Sequence, residues 1–432
     1  MTIHVVQSGE TISTIAQKYG VSEGRLMIEN DINAPDRLVV GEAIVILYPE
    51  IIYTIQEGDT LNDIAEKYGV SVMQLLRNNP YLSDREYIYP GETIVISYEG
   101  ETIRKISING YAFPFIDRNI LKKTLPFLTY LTVFSYEVTA EGEINDIDDT
   151  EIIQLAKTYG AAPVMMLSAS SRSMEEEINV VHSILSSEEK QERLYNDLLR
   201  ILQTKGYIGV NFNTPYIIPA DRSSYEDLIV EFADRLSQQG YQIYDTFSVR
   251  IFQLLTGTIF SGLDFARIGQ AVDGISLISY LFGYSEGIPS GTTSTDSLRR
   301  FIEYATRVVP PEKINVGVPV IGYLWKYPYI PIISKGMAVS YSTAIEIAYT
   351  NNTEIQYDET TNSAYFQFIS GDEYIVRFWD ARSIDSFVKF VPEFGLEGIS
   401  IWNIMSWFPQ SWLVINSQYE IDKFTYDGSM NY

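Results

Sequence analysis

Asn211 and Asn213 stand two residues apart in Gly-Tyr-Ile-Gly-Val-Asn-Phe-Asn-Thr-Pro-Tyr (residues 206–216), and Pro215 follows two further on. Side chains alternate along a strand, so residues at this spacing share one face and can act on one ligand. Two carboxylates placed this way could protonate a leaving group and balance the charge that develops. The residues actually present cannot. An amide hydrogen-bonds a polar ligand but holds no negative charge, and proline has no proton to give. The stretch is suited to binding, so catalysis here would need a carboxylate from elsewhere in the chain.

Composition closes most other routes. The 432 residues contain no cysteine, which removes disulfides, thiol nucleophiles and thiolate metal sites together. The two histidines are His4 and His182, too few for a histidine-rich metal site. His182 falls in a helical pattern and reads as an ordinary boundary residue. No metal or cofactor is expected. A formal net charge of −25 argues against nucleic acid as a partner, because few basic groups could displace counterions from phosphate. No apolar run reaches membrane-spanning length, and no basic segment followed by an apolar one opens the chain, so neither a membrane contact nor a secretory signal is expected. Tyrosine is abundant at 32 residues, which suits sugar stacking and equally suits β-rich packing.

The first hundred residues repeat with a period of about 49. His4-Val5-Val6-Gln7-Ser8-Gly9-Glu10-Thr11-Ile12 returns as Tyr53-Thr54-Ile55-Gln56-Glu57-Gly58-Asp59-Thr60-Leu61, and Ala16-Gln17-Lys18-Tyr19-Gly20 returns as Ala65-Glu66-Lys67-Tyr68-Gly69. Each copy reads strand, helix, helix, strand. Lys-Tyr-Gly gives the first helix a glycine stop, second helices are expected over Glu23–Glu29 and Val72–Asn78, and alternating apolar residues close each copy. This pattern resembles the LysM module, with copies over residues 1–49 and 50–98. The resemblance implies binding of N-acetylglucosamine-containing glycans such as peptidoglycan. It places the groove on Gly9, Glu10, Thr11, Ile12, Asn30, Asp31 and Ile32 in copy one, and on Gly58, Asp59, Thr60, Leu61, Asn79, Pro80 and Tyr81 in copy two. Two weak sites on one chain would gain by avidity on a polymeric ligand.

From residue 99 to 432 eight short β-rich runs alternate with helical segments. The runs are Lys105–Tyr111, Tyr130–Val138, Ala162–Ser168, Tyr207–Asn213, Tyr241–Val249, Gly274–Tyr280, Lys313–Val320 and Gly398–Asn403. Helices are predicted over Thr150–Tyr159, Glu188–Lys205, Tyr225–Gln239, Thr295–Val308 and Ile384–Phe394. The pattern specifies an α/β fold, a (β/α)8 TIM barrel, with a small α+β insertion at about 337–379. Function in such barrels sits at the C-terminal ends of the strands. Those ends carry Tyr111, Tyr136, Asn213, Tyr280, Tyr323 and Trp402.

The barrel resembles family 18 glycoside hydrolases in Ile106-Ser107-Ile108-Asn109-Gly110-Tyr111, Leu131-Thr132-Val133-Phe134-Ser135-Tyr136, Gly322-Tyr323, Trp379-Asp380-Ala381-Arg382-Ser383 and Gly398-Ile399-Ser400-Ile401-Trp402. The whole chain is similar to the spore-associated N-acetylglucosaminidases of endospore-forming bacteria, with two LysM modules ahead of the barrel. That family uses a D-x-x-D-x-D-x-E motif on its fourth strand. The Glu protonates the glycosidic oxygen, and the Asp two residues earlier orients the substrate acetamido group that acts as nucleophile. The motif falls here on Ile208, Asn211, Asn213 and Pro215, so no catalytic residue is expected at those positions. The nearest substitute acids by sequence are Glu137, near the end of the second strand, and Glu286, after the sixth. The runs Glu175-Glu176-Glu177 and Glu188-Glu189 read as helix starts favoured by the macrodipole. The resemblance implies a peptidoglycan-binding protein of the spore envelope, made in the cytoplasm. Self-assembly or association with other coat proteins fits its composition, and the alternative is an active N-acetylglucosaminidase with a relocated acid.

Overall fold

The computed structural model describes residues 1–169, 173–248, 252–254, 257–259, 262–278, 295–330 and 334–424. Eight parallel strands form its centre: β1 (Arg104–Ala112), β2 (Tyr130–Val138), β3 (Ala162–Ala169), β4 (Gly209–Asn213), β5 (Gln242–Ser248), β6 (Gly274–Ile278), β7 (Ile314–Pro319) and β8 (Gly398–Trp402). Each strand pairs with the next, and β8 pairs back onto β1, with Trp402 beside Tyr111, so the sheet closes. Buried faces on both sides explain why these strands read as apolar runs rather than as alternating ones. The outer layer includes helices Thr150–Thr158, Met174–Leu185, Glu188–Lys205, Arg222–Ser237 and Thr295–Val308. The segment expected as one helix over Ile384–Phe394 is two, Ala381–Val388 and Phe390–Phe394, the first opened by an Asp380–Ser383 capping box.

Between β7 and β8 a five-stranded antiparallel sheet and the helix Tyr341–Thr350 form the insertion. The sheet takes in Gly322–Lys326, upstream of the 337–379 segment marked by the sequence, because that run pairs with Asp372–Phe378.

The two N-terminal repeats fold alike. Thr2–Val5 pairs with Ala43–Ile46, and Pro49–Thr54 pairs with Thr93–Tyr98, both antiparallel. Thr11 and Thr60 cap the first helices with capping boxes, and Gly20 and Gly69 end them at φ 68° and 67°, a left-handed conformation that glycine adopts without strain. Each repeat has its own small core, around Ile15 and Leu26 in one and Ile64 and Leu75 in the other.

The repeats are not beads on a string. Val39, Ala43, Val45 and Leu47 of the first join the barrel's own core. The Ile355 N–H of the insertion donates to the Val40 carbonyl at 2.9 Å. Gly41 sits so close that a Cβ would lie 1.9 Å from the Ile355 carbonyl oxygen. The second repeat is held by Arg77 donating to the Pro126 carbonyl (3.1 Å) and by Asn416 donating to Asn78 Oδ1 (2.9 Å). The two repeats meet through the Tyr98 hydroxyl, which donates to Glu29 at 2.9 Å.

Candidate functional site

The strand-four residues do face one ligand-sized space, but only in part. Asn211 points into the barrel, where it is spent on the fold. Its amide nitrogen donates to the Tyr111 hydroxyl (3.3 Å) and its oxygen accepts from Thr246 (2.8 Å), while Tyr111 and Thr246 are themselves 2.8 Å apart. Tyr111 is fully buried and, with Met166 and Ile278, makes the apolar floor beneath Phe134 and Trp402. Asn213, at the end of β4, is half-buried, with its amide nitrogen 3.3 Å from Ser168 Oγ. Ile208 precedes the strand and takes no part in the mouth.

Pro215 goes elsewhere. The chain turns after Asn213, and the proline ring is buried in an apolar cavity with Val181, Ile184, Leu194 and Phe232, behind the barrel wall. The turn is pinned by Thr214, whose hydroxyl donates at 2.9 Å to Asp245 on the outward face of β5.

Asp245 is fully buried, and among the described residues its second carboxylate oxygen has no hydrogen-bond partner. Burial pushes its carboxyl up to about 7, against the opposing pull of Thr214. Glu42, buried where the first repeat meets the barrel, is also pushed up to about 7 by burial. Both folded-state values lie above those of the unfolded chain, so the native state keeps protons that the unfolded state has released. Their contribution is fully present below about pH 4 and is lost as pH rises towards 7. Thermal melts of Asp245→Asn should lose about half of this pH-linked decline, and a double variant with Glu42→Gln nearly all of it. An unchanged pH slope in the double variant would rule out this account.

The open mouth is a cleft of ≈ 880 Å³ whose lining includes the rings of Phe113, Phe115 and Phe134, the charged groups of Arg118, Glu137, Asp148 and Glu177, and the polar Ser168 and Asn213. Phe113 and Phe115 stack at 5.2 Å, and Phe115 is 76% exposed, a flat apolar face open to a ligand. Phe134 meets Trp402 edge-on at 4.7 Å. Glu137 was expected here from the sequence. Glu177 was not: it read as part of an exposed helix start, yet its carboxylate accepts from the Tyr216 N–H at 3.1 Å, beside the exit of β4. Its position just after β3 was the available signal, since a helix following a barrel strand begins at the functional face.

One of the expected mouth aromatics turns away from it. Tyr136 is fully buried and faces away from the mouth: its hydroxyl donates to Asp149, which also accepts from Tyr207 (2.5 Å) and Lys205 (2.9 Å). A register shift in the β2–β3 pairing between Val133 and Tyr136 turns the side chain outward. Tyr323 sits on the insertion sheet opposite Arg377, with its ring 5.7 Å from Trp325. Tyr280 and Glu286 lie outside the described residues.

In the repeats, much of the expected groove serves the fold. Asn30 is buried and bonds Leu26 and Val45, and Asn79 repeats the pattern with Leu75 and Val95. Ile12 is a core residue, and Thr11 and Thr60 are helix caps. Glu10 accepts from the Gln7 N–H (2.8 Å) and His4 (2.7 Å), and Asp59 from the Gln56 N–H and Tyr53 (both 2.7 Å). These bonds hold both carboxyls below their usual values, the backbone N–H contributing most. Leu61 lies in the first turn of its helix, next to the positive-φ turn at Gly58, as Gly9 is next to Glu10. Asp31, Ile32, Pro80 and Tyr81 keep accessible surface. His182, expected as a boundary residue, bonds Asp221 at 2.9 Å, and among the described residues no group of acidic and histidine side chains could hold a metal ion. No helix among them is long and apolar enough to cross a membrane.

A closed parallel barrel with an antiparallel insertion before its last strand, and an aromatic and carboxylate-lined cleft at its mouth, defines the class of glycoside hydrolase (β/α)8 barrels. The chain belongs to glycosyl hydrolases family 18, whose pattern matches residues 127–406, and it carries LysM domains at residues 4–47 and 53–97. It is 31% identical over 435 residues to the cortical fragment-lytic enzyme of Bacillus subtilis (strain 168), covering 99% of this chain and all of that one. The crystal structure of the Bacillus cereus spore cortex-lytic enzyme SleL superposes with a TM-score of 0.80 at 27% identity over 99% of both chains. SleL of Bacillus megaterium QM B1551 gives a TM-score of 0.79 at 26% identity over 98% of both.

Proposed function

We propose that this protein engages N-acetylglucosamine-containing cortex peptidoglycan in the spore envelope, and that its barrel holds the glycan without cleaving it by the family's route. One observation carries the second half: at the end of β4 the cleft receives the Asn213 amide, while Pro215 is buried behind the wall. Asn213 can bond an acetamido group, and no proton donor follows it. The family and the relatives support the choice of glycan. The experiment is sedimentation of the full-length chain with intact cortex peptidoglycan, with reducing ends measured in the same tube. Pelleting without new reducing ends is the expected result, and a chain that stays in the supernatant excludes the binding reading.

A second reading is hydrolysis by a relocated acid, and two observations favour it. The relatives are named as lytic enzymes, and Glu137 and Glu177 line the cleft beside Asn213. Sustained release of reducing ends that is lost on Glu177→Gln or Glu137→Gln would establish it in place of the first.

A further inference from the structure

The two repeats give one carboxylate two different settings. Glu42 and Glu92 hold the same position of the repeat, in Val40-Gly41-Glu42 and Pro90-Gly91-Glu92. In each the carboxylate accepts from the backbone N–H three residues earlier, that of Val39 at 3.1 Å and that of Tyr89 at 3.3 Å. In the second repeat the side chain is 32% exposed and pairs with Arg85 at 2.8 Å. In the first, Glu42 is only 5% exposed. The arginine of its preceding loop, Arg37, turns to the barrel instead, meeting Glu346 at 2.8 Å and lying over the Tyr349 ring at 4.4 Å.

The barrel is what covers Glu42. On either side of it the Gly41 carbonyl accepts from Arg382 (3.2 Å) and the Ala43 carbonyl from the Tyr341 hydroxyl (3.4 Å). The charged groups about this seam are engaged with one another. Arg382 is held by Asp380 at 2.5 Å, Asp385 a turn further on by Lys389 at 2.6 Å, and Glu346 by Arg37. Tyr341 is buried, Glu354 beside Ile355 and Asp31 of the first repeat are exposed, and the helix Pro409–Gln418 carries no charged residue. Glu29, the other buried carboxylate of the first repeat, has Arg25 at 2.8 Å.

We propose that the seam between the first repeat and the barrel is a pH-sensitive latch, closed while Glu42 carries its proton and loosened once that proton is lost. Opening the seam returns the carboxylate to water, where Glu92 already stands. In the closed seam the anion would keep the Val39 N–H against an apolar wall, which opposes ionisation. Burial accordingly pushes the closed-state carboxyl up to about 7, while in the open state it is an ordinary carboxylate. Closure is therefore fully favoured below about pH 4, weakens as pH rises, and stops weakening above about 7. Between pH 5 and 8 opening should become about 50-fold more frequent.

The test is hydrogen exchange of the full-length chain, corrected for the intrinsic rate at each pH. The Ile355 amide is the reporter, because its bond to the Val40 carbonyl crosses the seam. Its protection should fall about 50-fold from pH 5 to 8. Constant protection overturns the proposal without recourse to any variant. At each pH it should also exchange faster than the amides of β8, and equal rates would mean that the seam opens only when the whole chain unfolds, which overturns it too. Glu42→Gln should hold the seam closed and abolish the decline. Asp245→Asn, which removes the other buried acid, should leave the decline intact, and a decline that follows Asp245 instead of Glu42 sinks the latch.

Discussion

Supplied with muropeptides, the purified chain is expected to turn over about 10⁴-fold or more slowly than the cortical fragment-lytic enzyme of Bacillus subtilis under the same conditions. The magnitude comes from two losses. General-acid catalysis contributes roughly 10²–10⁴-fold, and a preorganised electrostatic partner roughly 10²–10³-fold, though the two act as a unit and do not simply multiply. On the proposed reading, Asn213 stands where the family places its charged partner, and Pro215, which has no proton to give, lines the buried apolar cavity rather than the cleft. Glu177→Gln and Glu137→Gln should leave any residual rate unchanged. Introducing Pro215→Glu together with Asn213→Asp should raise the rate little, because a Glu side chain at 215 would enter the cavity formed by Val181, Ile184, Leu194 and Phe232, where its charge is unwelcome. Turnover within tenfold of the Bacillus enzyme would refute this expectation and point to Glu177 or Glu137.

The second large effect concerns stability. Asp149→Ala should cost about 3–5 kcal/mol in urea unfolding, the range seen when one partner of a buried charged network is removed. Asp149 is 2% exposed and accepts from Tyr136, Tyr207 and Lys205, linking β2, the start of β4 and the end of the helix Glu188–Lys205. Removing the carboxylate takes from the Tyr136 and Tyr207 phenols their shared acceptor, while Lys205 keeps Asp146, the Ile147 carbonyl and its place over the Tyr136 ring. Tyr207→Phe, which removes one donor and leaves the carboxylate with two others, should cost only about 1 kcal/mol. Equal costs for the two variants, or a loss below about 1 kcal/mol for Asp149→Ala, would mean that the network is not coupled as described.

Fold and site were legible in the sequence to different depths. Strand and helix periods, glycine stops and the repeat are local properties, carried by neighbouring residues, and they placed the eight barrel strands and both repeats. The residue types at Asn213 and Pro215 were equally plain, since a side chain's capacity to carry charge or a proton belongs to the residue itself. What could not be read was direction. The register shift that turns Tyr136 outward, the turn that buries Pro215, and the helix start that brings Glu177 to the cleft depend on pairings between segments far apart in the chain. The same holds for Asn30 and Asn79, whose amides close on strands fifteen or sixteen residues away. The seam between the first repeat and the barrel is the extreme case: Asp31 and Trp407 line one cavity there although more than three hundred positions separate them, and the burial of Val39, Ala43, Val45 and Leu47 against the barrel, with the Ile355–Val40 backbone hydrogen bond, brings them together. Sequence alone therefore determined which elements form and which chemistry strand four can offer. Tertiary structure decided which side chains meet, because that depends on the burial of apolar surface between distant segments.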